Sequence, residues 1–339
     1  MTAEALQRPI RVVDYHTAGE PFRIVTGGVP ELEGRDVLER RRWARDNLDD
    51  VRRLLVNEPR GHADMYGAFV TPPNDDWADL GVVFFHNEGY STACGHGTIA
   101  LVTWAVETGR IAGRPDGREV SVTVDVPSGR LVCTARLDES GQVEAVRFRN
   151  VPSFVLARDV TVRVGRGPLA LDVAFGGAFY GSMDVSSLDA RIDPADLPML
   201  IALQRELRPA LERSLRVVHP DEPDLEGIYG VIFWEAIGPN EQRNVTVFAD
   251  GEVDRSPCGS GTSARLAMLH DRGELAIGQV FRHRSIVDSV FDAWVVEEGP
   301  PVGGRPSVVT EVEGSAYRTG EAVFALDPRD PLGTGFLLR

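Results

Sequence analysis

The chain has 339 residues, 42% hydrophobic and 26% charged, an ordinary globular composition with enough length for two cores of about 150 residues each. Its 36 Lys and Arg against 51 Asp and Glu give a formal charge of −15, which argues against nucleic acid or an anionic membrane as a partner. No apolar run approaches the ~20 residues of a membrane span. The polar stretch Met1–Pro9 does not read as a signal peptide, and three cysteines, an odd count without a dense framework, suit a reducing cytoplasm. An anionic small substrate stays open, because local backbone donors outweigh a diffuse surface charge.

Strand-like alternation begins at Ile10 and reaches Thr26. Residues 35–57 then read as one charged amphipathic helix, with Leu38, Trp43, Leu48, Val51 and Leu55 at helical spacing, and Pro59-Arg60-Gly61 stops it. A strand pair is expected around Met65–Val70 and Leu80–Phe85. Gly95 to Thr108 reads as a helix with Ile99, Ala100, Val102 and Ala105 as its apolar positions and Gly109 at its C-terminal cap. Val122–Val126, a turn at 127–130 and Leu131–Ala135 form a hairpin pattern. From about Ser153 the plan repeats: strands near 160–164 and 169–175, a charged helix near 196–215, strands near 228–235 and 244–249, and a second helix led by cysteine. The tail alternates strand and turn, as in Ser307–Val312 and Glu321–Leu326. The whole reads as a long-period duplication into two α/β lobes, 1–155 (completed by about 316–339) and 156–315.

The repeat is sharpest at two cysteines. Cys94-Gly95-His96-Gly97-Thr98 matches Cys258-Gly259-Ser260-Gly261-Thr262; Ala100 matches Ala264, and Gly109 and Gly273 each lie 15 residues past their cysteine. A helix starting Gly-X-Gly-Thr directs unpaired N–H groups and its positive dipole end outward, and its glycines admit a ligand close to the backbone. Two such termini would grip a carboxylate and lower each thiol's pKa. Donors placed where enolate charge develops are worth ~3–4 kcal/mol each. One thiolate would take an α-proton and the opposite thiol would return one, which is what inverting a carbon centre requires. A lone buried cysteine is usually a small hydrophobe; that is the expectation for Cys133, which alternates with Val132 and Thr134 in a hairpin arm. Cys258 has no neighbouring His or Cys, so no zinc quartet is expected, and neither glycine frame has the Lys of a phosphate loop.

Asp254, four residues before Cys258, suits either a helix cap or an acceptor for a substrate amine; His96 suits the same second role as a neutral imidazole. Arg60 and His62 fit either a cleft wall or structural pairing. Tyr66 and Phe248 are candidates for the wall of an apolar ring pocket, or for core.

His16-Thr17-Ala18-Gly19-Glu20-Pro21, Glu58-Pro59-Arg60-Gly61-His62, Cys94-Gly95-His96, Gly176-Gly177 and the run Asp254–Thr262 together resemble the proline racemase family, over nearly the whole chain. The resemblance implies a diaminopimelate-epimerase-like fold, two lobes that each curve a sheet around a central helix and bring the two helix N-termini together. It implies a homodimer and catalysis without pyridoxal phosphate or any other cofactor. It makes Cys94 and Cys258 the acid/base pair, gives the substrate carboxylate to the amides of Gly95, His96, Gly259 and Ser260, and gives the ring nitrogen to His96 and Asp254. The family holds proline racemases, 4-hydroxyproline 2-epimerases and trans-3-hydroxyproline dehydratases, and those dehydratases carry Thr where Cys258 stands. The second thiol therefore favours inversion. The surroundings, His86-Asn87-Glu88-Gly89-Tyr90, Tyr66, Gly176–Tyr180 and Tyr229-Gly230, look more like the dehydratase branch, and Gly230 stands where the 4-hydroxyproline epimerases tend to place His. The resulting expectation is a two-thiol racemase or epimerase of proline or a hydroxyproline, with a trans-3-hydroxyproline dehydratase and a non-catalytic proline-binding protein as alternatives.

Overall fold

The chain runs the same course of strand pairings twice, once in each of two compact units, Met1–Val146 with Ser315–Arg339 and Arg147–Gly314. A computed structural model describes residues 8–111 and 117–338; the stretch read as polar at Met1–Pro9 lies outside the described residues as far as Gln7. In the first unit Ile10–Thr17 pairs antiparallel with Ala316–Phe324 on one side and Glu20–Gly27 on the other. Glu20–Gly27 runs parallel to Tyr66–Thr71, which is antiparallel to Leu80–His86; that strand runs parallel to Glu119–Val126, which pairs antiparallel with Gly129–Leu137.

In the second unit Gly167–Phe175 lies between Phe154–Val164 and Phe179–Asp184, antiparallel to both. Phe179–Asp184 is parallel to Ile228–Gly238, which is antiparallel to Glu241–Phe248; that strand is parallel to Phe281–Ser285, which is antiparallel to Val290–Val302. The order of pairing senses is the same in the two units, and Val290–Val302 adds one more partner, Arg305–Gly314.

Five α-helices are described: α1 (Val37–Asn47), α2 (Asp49–Val56), α3 (Gly95–Glu107), α4 (Leu197–Ser214) and α5 (Gly259–Asp271). The single helix expected over 35–57 is two. Leu48 leaves helical geometry at φ −121° and ψ 15° and is buried against the core, while Asp49 and Asp50 supply a new acidic first turn. At the start of α1, Asp36 accepts from the Glu39 N–H at 2.8 Å.

α3 and α5 are buried from their first residues through Ala105 and Leu269. α3 touches strands from Ile10–Thr17 through Gly129–Leu137 and Ala316–Phe324, so the sheet of its unit wraps it; α5 is held in the same way by strands of the second unit. The outer faces are covered too. α1 and α2 share a core with Val25, Phe69, Val83 and Phe85, and α4 packs on Phe154–Val164 and Ile228–Gly238. Strands buried on both faces lose the simple alternation that marks a half-exposed strand. That accounts for Phe179–Asp184, absent from the sequence reading. Phe281–Ser285 escaped for another reason: two of its three inward residues are polar, His283 and Ser285.

Candidate active site

Each cysteine caps the N-terminus of its unit's buried helix, and in each frame the glycine three residues on makes room for sulfur. A methyl group on Gly97 would stand 2.6 Å from the Cys94 Sγ, and one on Gly261 2.9 Å from the Cys258 Sγ. Cys94, His96, Cys258, Ser260 and Asp254 are all buried.

In the first unit Cys94 has extended geometry, φ −155°, and its Sγ accepts from the Gly97 N–H at 3.3 Å. Both ring nitrogens of His96 lie 3.5–3.6 Å from that sulfur. Burial pushes the His96 imidazole down to about 3, so it is neutral at physiological pH. The Thr17 hydroxyl donates to the His96 carbonyl at 2.8 Å and ties the helix start to the first strand. Tyr66 presents its ring edge-on to His96, with centroids 5.0 Å apart, and its hydroxyl donates to Ser91. Phe22 packs against both rings. Tyr66 thus packs beside the imidazole that lies against the Cys94 sulfur.

In the second unit the cap is strained. Cys258 sits at φ +64°, a conformation that costs a non-glycine residue ~1–3 kcal/mol. A relay holds it: Asp254 Oδ1 accepts from the Ser256 N–H (2.8 Å) and hydroxyl (2.7 Å), and Ser256 Oγ accepts from the Cys258 N–H at 3.1 Å. Behind it the Thr262 N–H reaches the Cys258 carbonyl at 2.7 Å, while the Thr262 hydroxyl donates to the Pro257 carbonyl and lies 2.8 Å from Nδ1 of the buried His283.

The Cys258 thiol donates to the Tyr180 hydroxyl at 3.7 Å, and that hydroxyl is 2.7 Å from Ser260 Oγ. Tyr229 stands edge-on to Tyr180 and stacks on Phe248, which places Phe248 two rings beyond Tyr180. Gly230 has no room for a side chain: a methyl there would stand 2.7 Å from the Val247 carbonyl oxygen.

The helix terminus does not govern the thiol pKa at Cys258 as expected from sequence. Burial pushes it up, and the negative charge of Asp254 raises it further. Burial likewise lifts the Asp254 carboxyl to about 6, within reach of physiological titration. Asp254 is therefore part of the cap relay and also an ionisable group facing the sulfur. Cys133 is fully buried in its hairpin, where desolvation keeps it protonated. Arg60 serves structure, donating to the Leu54 and Gly333 carbonyls, and His62 lies at the surface against the Ala63 carbonyl. Among the described residues no cluster of three or more His, Cys, Asp or Glu is arranged to hold a metal ion, and no helix is long and apolar enough to cross a membrane.

Tyr180 and Ser256 did not stand out as site residues in the sequence. Ser256 carried a local signal, since Asp-x-Ser ahead of a helix start is an Asx-turn pattern. Tyr180 carried none, being 78 residues from the thiol it meets.

The model of the family described as proline racemase matches residues 12–337. The chain is 45% identical over 330 residues to a trans-3-hydroxy-L-proline dehydratase of Bacillus cereus, covering 96% of this chain and 97% of the relative. It is also 45% identical over 339 residues to a 3-hydroxyproline 2-epimerase of Burkholderia multivorans, covering 98% and 99%. Among solved structures, a hydroxyproline epimerase from Agrobacterium vitis with bound trans-4-hydroxy-L-proline superposes with a TM-score of 0.91 at 32% identity, covering 98% of this chain and 96% of that one. The fold is the expected mixed α/β, diaminopimelate-epimerase-like one. With the family model spanning almost every residue and these relatives matched nearly end to end, the chain belongs to the proline racemase family.

Proposed function

We propose that the protein is a two-thiol epimerase that inverts the α-carbon of proline or a hydroxyproline, with 3-hydroxyproline as its preferred ring. The observation that carries this reading is Cys258, a second thiol capping a second buried helix in a glycine frame matched to that of Cys94. Identity does not separate epimerase from dehydratase, since relatives of both names stand at 45%. The two names share 3-hydroxyproline, which supports the choice of ring. The thiol supports the choice of chemistry, because dehydratases of the family place Thr there.

In this reading the amides of Gly95, His96, Gly259 and Ser260 hold the carboxylate, and neutral His96 and ionised Asp254 accept from the ring ammonium. One sulfur takes the Cα proton as a thiolate, leaving an enediolate whose charge the helix-terminal amides stabilise by ~3–4 kcal/mol each. The other sulfur, as a thiol, delivers its proton to the opposite face. One S–H forms and another breaks, and the two cysteines exchange roles with the hand of the substrate. No bound cofactor enters these steps, and the enzyme works as a cytoplasmic homodimer.

A second reading, dehydration, is favoured by the tyrosines on the Cys258 side, Tyr180 and Tyr229, together with a bare Gly230. Here the α-proton leaves to one base and the 3-hydroxyl departs as water, giving an enamine that tautomerises to pyrroline-2-carboxylate. The two are separated by incubating trans-3-hydroxy-L-proline in heavy water. Inversion at C2 alone yields the cis diastereomer labelled at C2, and Cys258→Ser abolishes it. An imine trapped by an aromatic aminoaldehyde, with no cis product, would establish dehydration instead. Binding without either product leaves the scaffold a proline-binding protein.

A further inference from the structure

The second unit contains a cavity of about 210 Å³ whose lining includes none of the residues assigned above. Its central group is Arg265 on α5, seven residues (~10 Å along the axis) beyond Cys258. Arg265 is 3% exposed; its Nε donates to Gln242 Oε1 at 2.9 Å, and its guanidinium lies 4.0 Å from the centre of the Trp234 ring. No carboxylate stands within ion-pair distance of it. Burial lowers its pKa to about 10, so the guanidinium stays charged at neutral pH.

Two carboxylates on the same lining, half-buried Asp184 and exposed Glu274, stand in no salt bridge among the described residues but act on Arg265 through space. Asp184 only caps a turn, accepting from the Ser186 N–H. The other two acids of the lining, Asp159 and Asp172, are already taken by Arg272 at 3.7 and 2.6 Å. The remaining polar group is Ser182, 5% exposed, whose hydroxyl is buried without a hydrogen-bond partner. Buried polar groups are nearly always satisfied, and an unpaired buried charge is costly. Beside the paired Arg272, Asp159 and Asp172, one buried cation and one buried, unpartnered hydroxyl thus share a small space with a half-buried and an exposed carboxylate, none of them joined in a salt bridge.

That charge pattern selects among ligands. A plain anion would meet Arg265 but also Asp184 and Glu274, and a plain cation would be repelled by Arg265. A zwitterion satisfies all of them: its carboxylate takes the guanidinium N–H groups and the Ser182 hydroxyl, and its ammonium faces the two acids. The volume lies below the ~300–1,000 Å³ of pockets for drug-sized ligands, which fits a molecule of a few heavy atoms. We propose that this cavity is a second binding site, for a small α-amino or imino acid. Its walls include the helix that bears Cys258 and the strand that bears Tyr180.

Equilibrium dialysis of the intact protein against labelled L-proline and, separately, labelled glycine tests it. Wild type should bind two equivalents of proline per chain. Arg265→Met, which keeps the stacking bulk and removes the charge, should lose one and keep the other; Ser182→Ala should weaken the same equivalent about tenfold. Asp254→Asn should affect only the equivalent that Arg265→Met retains. Glycine binding lost in Arg265→Met marks the site as open to primary amino acids, and proline binding alone marks it as selective for imino acids. Wild-type stoichiometry and affinity in both Arg265→Met and Ser182→Ala overturn the proposal. Should Arg265→Met fail to fold by circular dichroism, Ser182→Ala decides. A single proline equivalent that depends on Arg265 and not on Asp254 would support this site while removing the imino-acid reading of the cysteine site.

Discussion

The Cys258 thiol meets the Tyr180 hydroxyl at 3.7 Å, and at Cys94 the imidazole of His96 lies 3.5–3.6 Å from the sulfur. The two thiols share a sequence frame and differ in cap geometry, φ −155° at Cys94 against +64° at Cys258. The Tyr180 hydroxyl favours the thiolate, so Tyr180→Phe should raise the Cys258 pKa further. The expected result is alkylation of Cys258 by iodoacetamide slowed about tenfold at fixed pH, with Cys94 unchanged, as read by peptide mass spectrometry. Equal slowing at both cysteines would mean a general loss of packing.

Asp254 acts on the same sulfur with the opposite sign. Its charge raises the Cys258 pKa, so Asp254→Asn should move the alkylation profile of Cys258 to lower pH. In the wild type, Asp254 gains a proton as pH falls through about 6 and can no longer balance a substrate ammonium. KM for the imino acid should therefore rise below pH 6 with a smaller change in kcat. A KM that is flat from pH 7 to 5 would remove Asp254 from substrate binding.

Thr262 carries the strained cap. Because its hydroxyl donates to the Pro257 carbonyl, the His283 Nδ1–H donates to it in turn. Thr262→Val breaks both bonds and leaves a buried N–H unpaired, an expected loss of ~2–3 kcal/mol in urea unfolding. Thr98→Val, which removes only a bond to the Cys94 carbonyl at 2.9 Å, should cost ~1 kcal/mol. Equal costs would show that the His283 link adds nothing.

Stability should fall in acid with a slope these groups set. Burial holds both His96 and His283 at about 3, below their ordinary 6.5, so their contribution is complete above pH 6.5 and is lost as pH falls toward 3. Asp254 opposes them, since its folded pKa of about 6 exceeds the ordinary 3.8 and the native chain takes that proton first. Between pH 6 and 4 the unfolded chain binds two of these protons and the native chain one. The net loss from the three is ~1.4 kcal/mol per pH unit. Denaturant titrations at pH 6 and 4.5 should show the slope, and His283→Gln should reduce it by about one proton's worth.

Much of the fold was legible because its strongest signals are local. Gly97 and Gly261 had to be glycine for sulfur to sit over a helix start, and that requirement is written within five residues. The amphipathic pattern over 35–57 was visible as well, but the break at Leu48 was not, because leucine is a good helix former and burial chose its conformation. Phe281–Ser285 was missed because His283 and Ser285 face inward, where a period-two reading expects apolar residues.

By itself, then, the sequence determined the duplication, the family and the two cysteine frames, all of which rest on residues adjacent along the chain. Only the tertiary structure decided what surrounds the second sulfur: Tyr180 beside Cys258, and Asp254 lifted toward neutrality. Those neighbours come together through strand register and burial. Both depend on how distant segments pack, and no local pattern encodes the resulting desolvation.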